Sequence, residues 1–121
     1  MSEGLLLFAH GAHDPAWARP FEIVSERLRA ARPQTPLVMA YLEFMSPGIE
    51  EAAEQLVAAG CKRVHVLPLF LGTGGHVRRD IPPLLDRLRE RHAVEWLLHA
   101  PLGEQDTVLN AIVDACLSSL E

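Results

Sequence analysis

The chain is short of cysteine and of positive charge, and it lacks long apolar runs. Each shortage excludes something. Cys61 and Cys116 are the only cysteines among 121 residues. They form no CxxC pair, so neither a zinc knuckle nor a disulfide framework is expected, and both read as small buried hydrophobes in a reducing compartment. Lys and Arg number 11 against 16 Asp and Glu, a net charge of −5 with His neutral. That balance argues against nucleic-acid binding. No apolar run approaches the ~20 residues of a membrane helix, so no membrane partner is expected. The first residues show no basic segment ahead of a long apolar stretch, so no signal peptide is expected and the protein reads as cytoplasmic.

What is present is an ordinary globular balance, 49% apolar and 22% charged. It suits a single domain over residues 1–121 that buries a core without staples. Continuous apolar runs occur at Leu5–Ala9, Leu37–Leu42, Val64–Leu71 and Val94–Leu98. Unbroken runs suit parallel strands covered on both faces. Helical spacing lies between them. Phe21, Val24, Leu28 and Ala31 form one stripe, ended by Pro33. Ser46-Pro47 reads as an N-cap and first turn for Ile49, Ala53, Leu56 and Val57, with Gly60 beyond the end. Ile81, Leu84, Leu85 and Leu88 mark a helix over 80–91, and Val108, Leu109, Ile112, Val113, Cys116 and Leu120 mark a last one.

The order βαβαβαβα with right-handed crossovers predicts an α/β fold, a flavodoxin-like doubly wound four-stranded parallel sheet of order 2-1-3-4. Strands 1 and 3 are then neighbours where the chain reverses direction, and ligands in such folds bind beyond the carboxyl ends of those strands.

The chemistry-bearing residues cluster at these ends. His10 follows strand 1 in "LLLFAHGAHDP", and His76 lies in the loop past strand 3 in "LFLGTGGHVRRDIP". Two neutral imidazoles from adjacent strands suit a borderline divalent metal such as cobalt, nickel, iron or zinc, and leave coordination positions open. Glu43 ends strand 2 in "YLEF", at the same edge, where a carboxylate can bind metal or accept protons. Gly11, Gly74 and Gly75 permit sharp turns and close approach of backbone to a flat ligand. His13 is a further imidazole beside Asp14-Pro15, itself a plausible helix cap. His65 inside strand 3 reads as a satisfied core or interface residue, His92 as a helix C-terminus, and His99 as a strand end near the cleft edge.

"HGAHDP", "YLEFMSPGIEEA" and "KRVHVLPLFLGTGGHVRRDIP" together resemble the small class II tetrapyrrole chelatases, the sirohydrochlorin cobaltochelatase family, over roughly Leu5 to Leu102. The resemblance implies a lyase that inserts a divalent metal into sirohydrochlorin or a related tetrapyrrole without ATP. The metal is then a substrate, Co²⁺ first with Ni²⁺ or Fe²⁺ also fitting. It implies His10 and His76 as the metal-handling pair and a homodimer with a shared cleft. Arg78 and Arg79, flanking His76, suit the ring's carboxylates through charge-assisted bonds. Ala12 stands where the family tends to have serine, and His13 where it tends to have arginine. Two other classes fit parts of the pattern. One is a protein that binds and delivers metal without inserting it. The other is a flavodoxin-like phosphate or nucleotide binder using "GTGG", a run that matches neither GxxxxGK[ST] nor GxGxxG.

Overall fold

The four apolar runs are the four strands of one sheet. The computed structural model describes residues 2–121, with the side chain of His76 outside the described set. Strands β1 (Glu3–Ala9), β2 (Leu37–Tyr41), β3 (Arg63–Pro68) and β4 (Glu95–Leu98) are all parallel, in the order β2-β1-β3-β4. Between and after them come α1 (Arg19–Ala31), α2 (Ile49–Ala58), α3 (Gly75–Arg91) and α4 (Asp106–Ser118). This is the doubly wound sheet that the sequence predicts.

Alternate side chains of the central strands feed two apolar layers. Leu6 and Phe8 of β1, Val64 and Val66 of β3 and Trp96 of β4 point one way, against Leu56 of α2 and Leu85 and Leu88 of α3. Leu7 and Ala9 point the other way, with Met39 and Tyr41 of β2, against Phe21 and Leu28 of α1. Each fully buried large aliphatic or aromatic side chain contributes about 1.5–3 kcal/mol. The α1 stripe is rotated slightly from its sequence reading: Ser25 is buried, whereas Val24 is 42% exposed.

Several boundaries differ from expectation. Helix α2 begins at Ile49, with Gly48 as its N-cap and no side-chain cap. Ser46-Pro47 therefore lies outside it, where the Pro47 carbonyl accepts a hydrogen bond from the Tyr41 N–H at 2.9 Å. Strand β3 stops at Pro68, so Phe70 and Leu71 lie beyond it. Helix α3 starts five residues earlier than the apolar periodicity indicates, and His76 is its second residue, not part of a loop. Gly74 takes an extended N-cap conformation, and its carbonyl accepts from the Arg78 N–H at 3.2 Å to close the first turn. Pro82 and Pro83 consequently sit inside the helix. Cys61 is buried as expected, and burial pushes its thiol pKa up. Cys116 is exposed, contrary to expectation, because it lies on α4, which buries no residue at all.

Candidate functional site

Parallel pairing runs one step past the ends of β1 and β2, and that step builds the site. The Leu42 N–H donates to the Ala9 carbonyl at 3.0 Å, and the Glu43 N–H donates to the His10 carbonyl at 3.1 Å. With the two backbones so tied, His10 Nε2 reaches Glu43 Oε1 at 2.9 Å. Both side chains are about half exposed, at 45% and 50%. When Nε2–H donates to the carboxylate, the lone pair of Nδ1 is left for another partner, and a carboxylate behind an imidazole raises its basicity. Phe70 supports His10 from below, edge to face at a ring separation of 6.4 Å, and is itself packed edge-on against Phe8 at 5.5 Å.

Gly11 explains why the loop can come so close. Its φ is 98°, and a β-carbon there would drive into the Glu43 carbonyl oxygen. The glycine is therefore required by the chain's own backbone, whatever else approaches it. No described atom lies near where a β-carbon of Gly74 or Gly75 would stand, so that turn faces open space.

The strand ends open into a cavity of about 380 Å³ against α3. His10 and Glu43 form one wall, and Val77, Asp80, Leu84 and Arg87 form the other. Sequence reading missed Asp80 and Arg87 as site residues. Both lie within the helix read over 80–91, and only the placement of α3 against the strand ends shows that they face the cavity. Arg87 also faces Glu50 of α2 at 3.7 Å.

The remaining sequence candidates fall as follows. His76 enters the first turn of α3, next to the cavity residue Val77, and its side chain lies outside the described residues. His13 stacks on Phe44 with ring centroids 3.8 Å apart, and Phe44 holds a φ of 68° directly after Glu43. Arg78 donates to Thr73 Oγ1 at 3.2 Å and faces Glu104 at 4.0 Å, while Arg79 is exposed. Neither arginine lines the cavity. Asp14 caps the turn Pro15–Ala18, accepting from the Ala16 N–H at 2.9 Å. His92 caps the C-terminus of α3. His99 pairs with His65 on the α1 side of the sheet, at 2.8 Å, away from the cavity. Among the described residues, no three His, Cys, Asp or Glu side chains converge to hold a metal ion, and no helix is long and apolar enough to cross a membrane.

Comparison with known proteins agrees with this architecture. The CbiX family profile matches residues 4–118. A sirohydrochlorin cobaltochelatase of Saccharolobus solfataricus is 32% identical over 117 residues, covering 91% of this chain and 90% of that protein. A chloroplastic sirohydrochlorin ferrochelatase of Arabidopsis thaliana is 38% identical over 86 residues, covering 68% of this chain and 38% of that longer protein. Among solved structures, a provisionally named cobalamin (vitamin B12) biosynthesis CbiX protein from Marinobacter aquaeolei VT8 superimposes with a TM-score of 0.85 at 30% identity, over 98% of this chain and 97% of that one. The sirohydrochlorin chelatase SirB from Bacillus subtilis subspecies spizizenii, solved with cobalt, shares the fold at a TM-score of 0.82 and 24% identity. This chain is covered to 98% and spans 51% of that structure. A profile match across nearly the whole length, on a sheet whose strand ends gather an imidazole and a carboxylate, makes this chain a member of the CbiX family, the small class II chelatases that its motifs resemble.

Proposed function

We propose that the protein inserts a divalent metal ion, Co²⁺ first, into sirohydrochlorin or a closely related tetrapyrrole, without ATP. The observation that carries this reading is the His10–Glu43 pair, 2.9 Å apart at the mouth of a cavity beyond the carboxyl ends of the strands. Metal insertion needs three things: removal of the ion's water ligands, bending of the macrocycle, and acceptance of two pyrrole N–H protons. A neutral imidazole replaces water without adding charge and releases the ion again. In this reading His10 and His76 receive the ion, each offering one nitrogen, and open positions remain for the ring nitrogens. Glu43 orients His10 and takes up protons as the ring nitrogens lose them. The apolar wall of Val77 and Leu84 suits the flat face of the ring. Arg87 and the exposed Arg78 and Arg79 suit its carboxylates. A cleft that favours the bent ring over the planar one lowers the barrier by differential binding.

The relatives named above handle cobalt in one case and iron in another, and imidazole with carboxylate serves cobalt, nickel and iron alike. A tetrapyrrole is broader than a cavity of about 380 Å³, so a homodimer that faces two such cavities together completes the enclosure. A cytoplasmic location suits two cysteines that form no disulfide with each other.

The test is a spectral assay of sirohydrochlorin with Co²⁺, Ni²⁺ or Fe²⁺, run on wild type, His10→Ala and His76→Ala. Both variants are expected to remain folded by circular dichroism and to lose insertion. Insertion at wild-type rate by both would overturn the mechanism.

A further inference from the structure

One face of α3 carries the cavity wall as a row. Val77, Asp80, Leu84 and Arg87 recur at three- and four-residue steps, so they follow one another along the helix. Arg87 ends that row, and it lines a second cavity as well. The second, of about 460 Å³, is lined by Tyr41, Gly48, Ile49 and Glu50 together with Leu42, Leu84 and Arg87. The last three also line the first cavity, so the two adjoin and Arg87 stands on their boundary.

Charge is unevenly spread along this surface. Glu43 and Asp80 place carboxyl groups on the first cavity, and Glu50 and Glu51 place them at the α2 end of the second. Among the described residues of both linings, Arg87 is the sole Lys or Arg.

Yet the Arg87 charge is loosely held. Its Nε lies 3.7 Å from Glu50 Oε1, too far for a hydrogen bond, and among the described residues its guanidinium donates none. Glu50 is better served by Arg91, whose Nη1 donates to Oε2 at 3.1 Å. When Arg87 swings away, Glu50 therefore keeps a cation. The Arg87 and Glu50 side chains are 52% and 44% exposed, and ion pairs so open to water contribute little. Arg87 is thus a spare cation with unused donors at a cavity edge.

We infer that Arg87 exchanges partners: it rests on Glu50 while the cavity holds no ring, and turns to grip a peripheral carboxylate of the tetrapyrrole when the ring enters. The planar guanidinium matches a carboxylate with two parallel N–H···O bonds, which an ammonium does not. Glu50 competes with the substrate for the same cation and so sets the affinity. The inference rests on the substrate of the proposed function. It adds a residue that selects carboxylate-bearing rings and a competitor built into α2.

Arg87→Gln, Arg87→Lys and Glu50→Gln test it in two measurements. One is absorbance titration of sirohydrochlorin without metal, and the other is steady-state insertion of Co²⁺. Because the pair is exposed, all three variants should fold, with urea midpoints near that of wild type. Arg87→Gln should weaken ring binding and raise KM about tenfold or more, with kcat changed less than about twofold. Arg87→Lys should recover only part of the loss. Glu50→Gln should act in the opposite direction and tighten ring binding about two- to threefold, since the ring no longer competes for Arg87. A mere brace between α2 and α3 would move Arg87→Gln and Glu50→Gln the same way. That result, or unchanged ring binding in Arg87→Gln, would overturn the exchange. A wild type that binds the ring but inserts no metal removes the proposed reaction and leaves the exchange standing. Unchanged ring binding by Arg87→Gln, in an enzyme that inserts metal, does the reverse.

Discussion

Gly11 and the backbone of Glu43 are pressed together so closely that a β-carbon on Gly11 would overlap the Glu43 carbonyl oxygen. The contact locks the β1 exit against the β2 exit, and the His10–Glu43 pair rests on that lock. Its glycine is held at φ 98°, where L side chains are strained by about 1–2 kcal/mol even without the overlap.

Gly11→Ala should therefore lower stability by more than about 2 kcal/mol in urea unfolding and should abolish metal insertion. A variant that unfolds at the wild-type midpoint would show that the two exits are not locked in this way.

Glu43→Gln keeps an oxygen that can accept from His10 while removing the charge and the proton acceptor. Because Glu43 is half exposed, stability should change by less than about 0.5 kcal/mol. The turnover number for insertion should fall about a hundredfold or more, which stopped-flow absorbance can follow. An unchanged rate would assign proton acceptance elsewhere.

Phe70→Leu tests the support beneath His10. The swap removes the edge-on contacts to Phe8 and His10 at a core position that is 7% exposed. A hydrophobic replacement of similar volume should cost less than about 1.5 kcal/mol, while insertion slows through looser placement of the imidazole. Insertion at the wild-type rate would show that Phe70 only fills space.

Glu3 carries a pH signature. A hydrogen bond from His65, with help from the Arg63 charge, holds its carboxyl below the usual glutamate range. The folded pKa is thus depressed. The stabilisation this pairing contributes is present above the unfolded-state value and is lost as pH falls through the folded-state value, in the acid limb below about pH 4.5. In His65→Ala the Glu3 carboxyl should titrate higher, toward its ordinary value, as read by NMR of the side-chain carbon. An unmoved midpoint would remove His65 as the cause.

The strand order was legible because four unbroken apolar runs with helical stripes between them admit few right-handed arrangements. His10 and Glu43 were legible because each follows a run directly. The start of α3 was not: Gly72, Gly74 and Gly75 advertise a loop, and the helix-initiating feature is a backbone conformation at Gly74 that no side chain announces. Asp80 and Arg87 fall inside the helix read over 80–91 and were hidden for a different reason: membership of the cavity wall depends on where that helix sits against the strand ends. The exposure of α4 was also invisible. Its sequence has the stripe of a buried helix, yet α4 buries no residue, and the stripe alone does not tell a packed helix from an exposed one.

Pro82 and Pro83 interrupt the hydrogen-bond ladder of α3 at its middle, because neither has an amide to donate to the carbonyls of Arg78 and Arg79. The seventeen-residue helix is in effect two cooperative segments. The C-terminal one is anchored by Leu85 and Leu88. The N-terminal one bears Val77 and Asp80 on the cavity wall and is held to the same core by Ile81, so only the first turn ahead of that anchor is expected to fray by itself, its amides exchanging with deuterium ahead of those after Leu85.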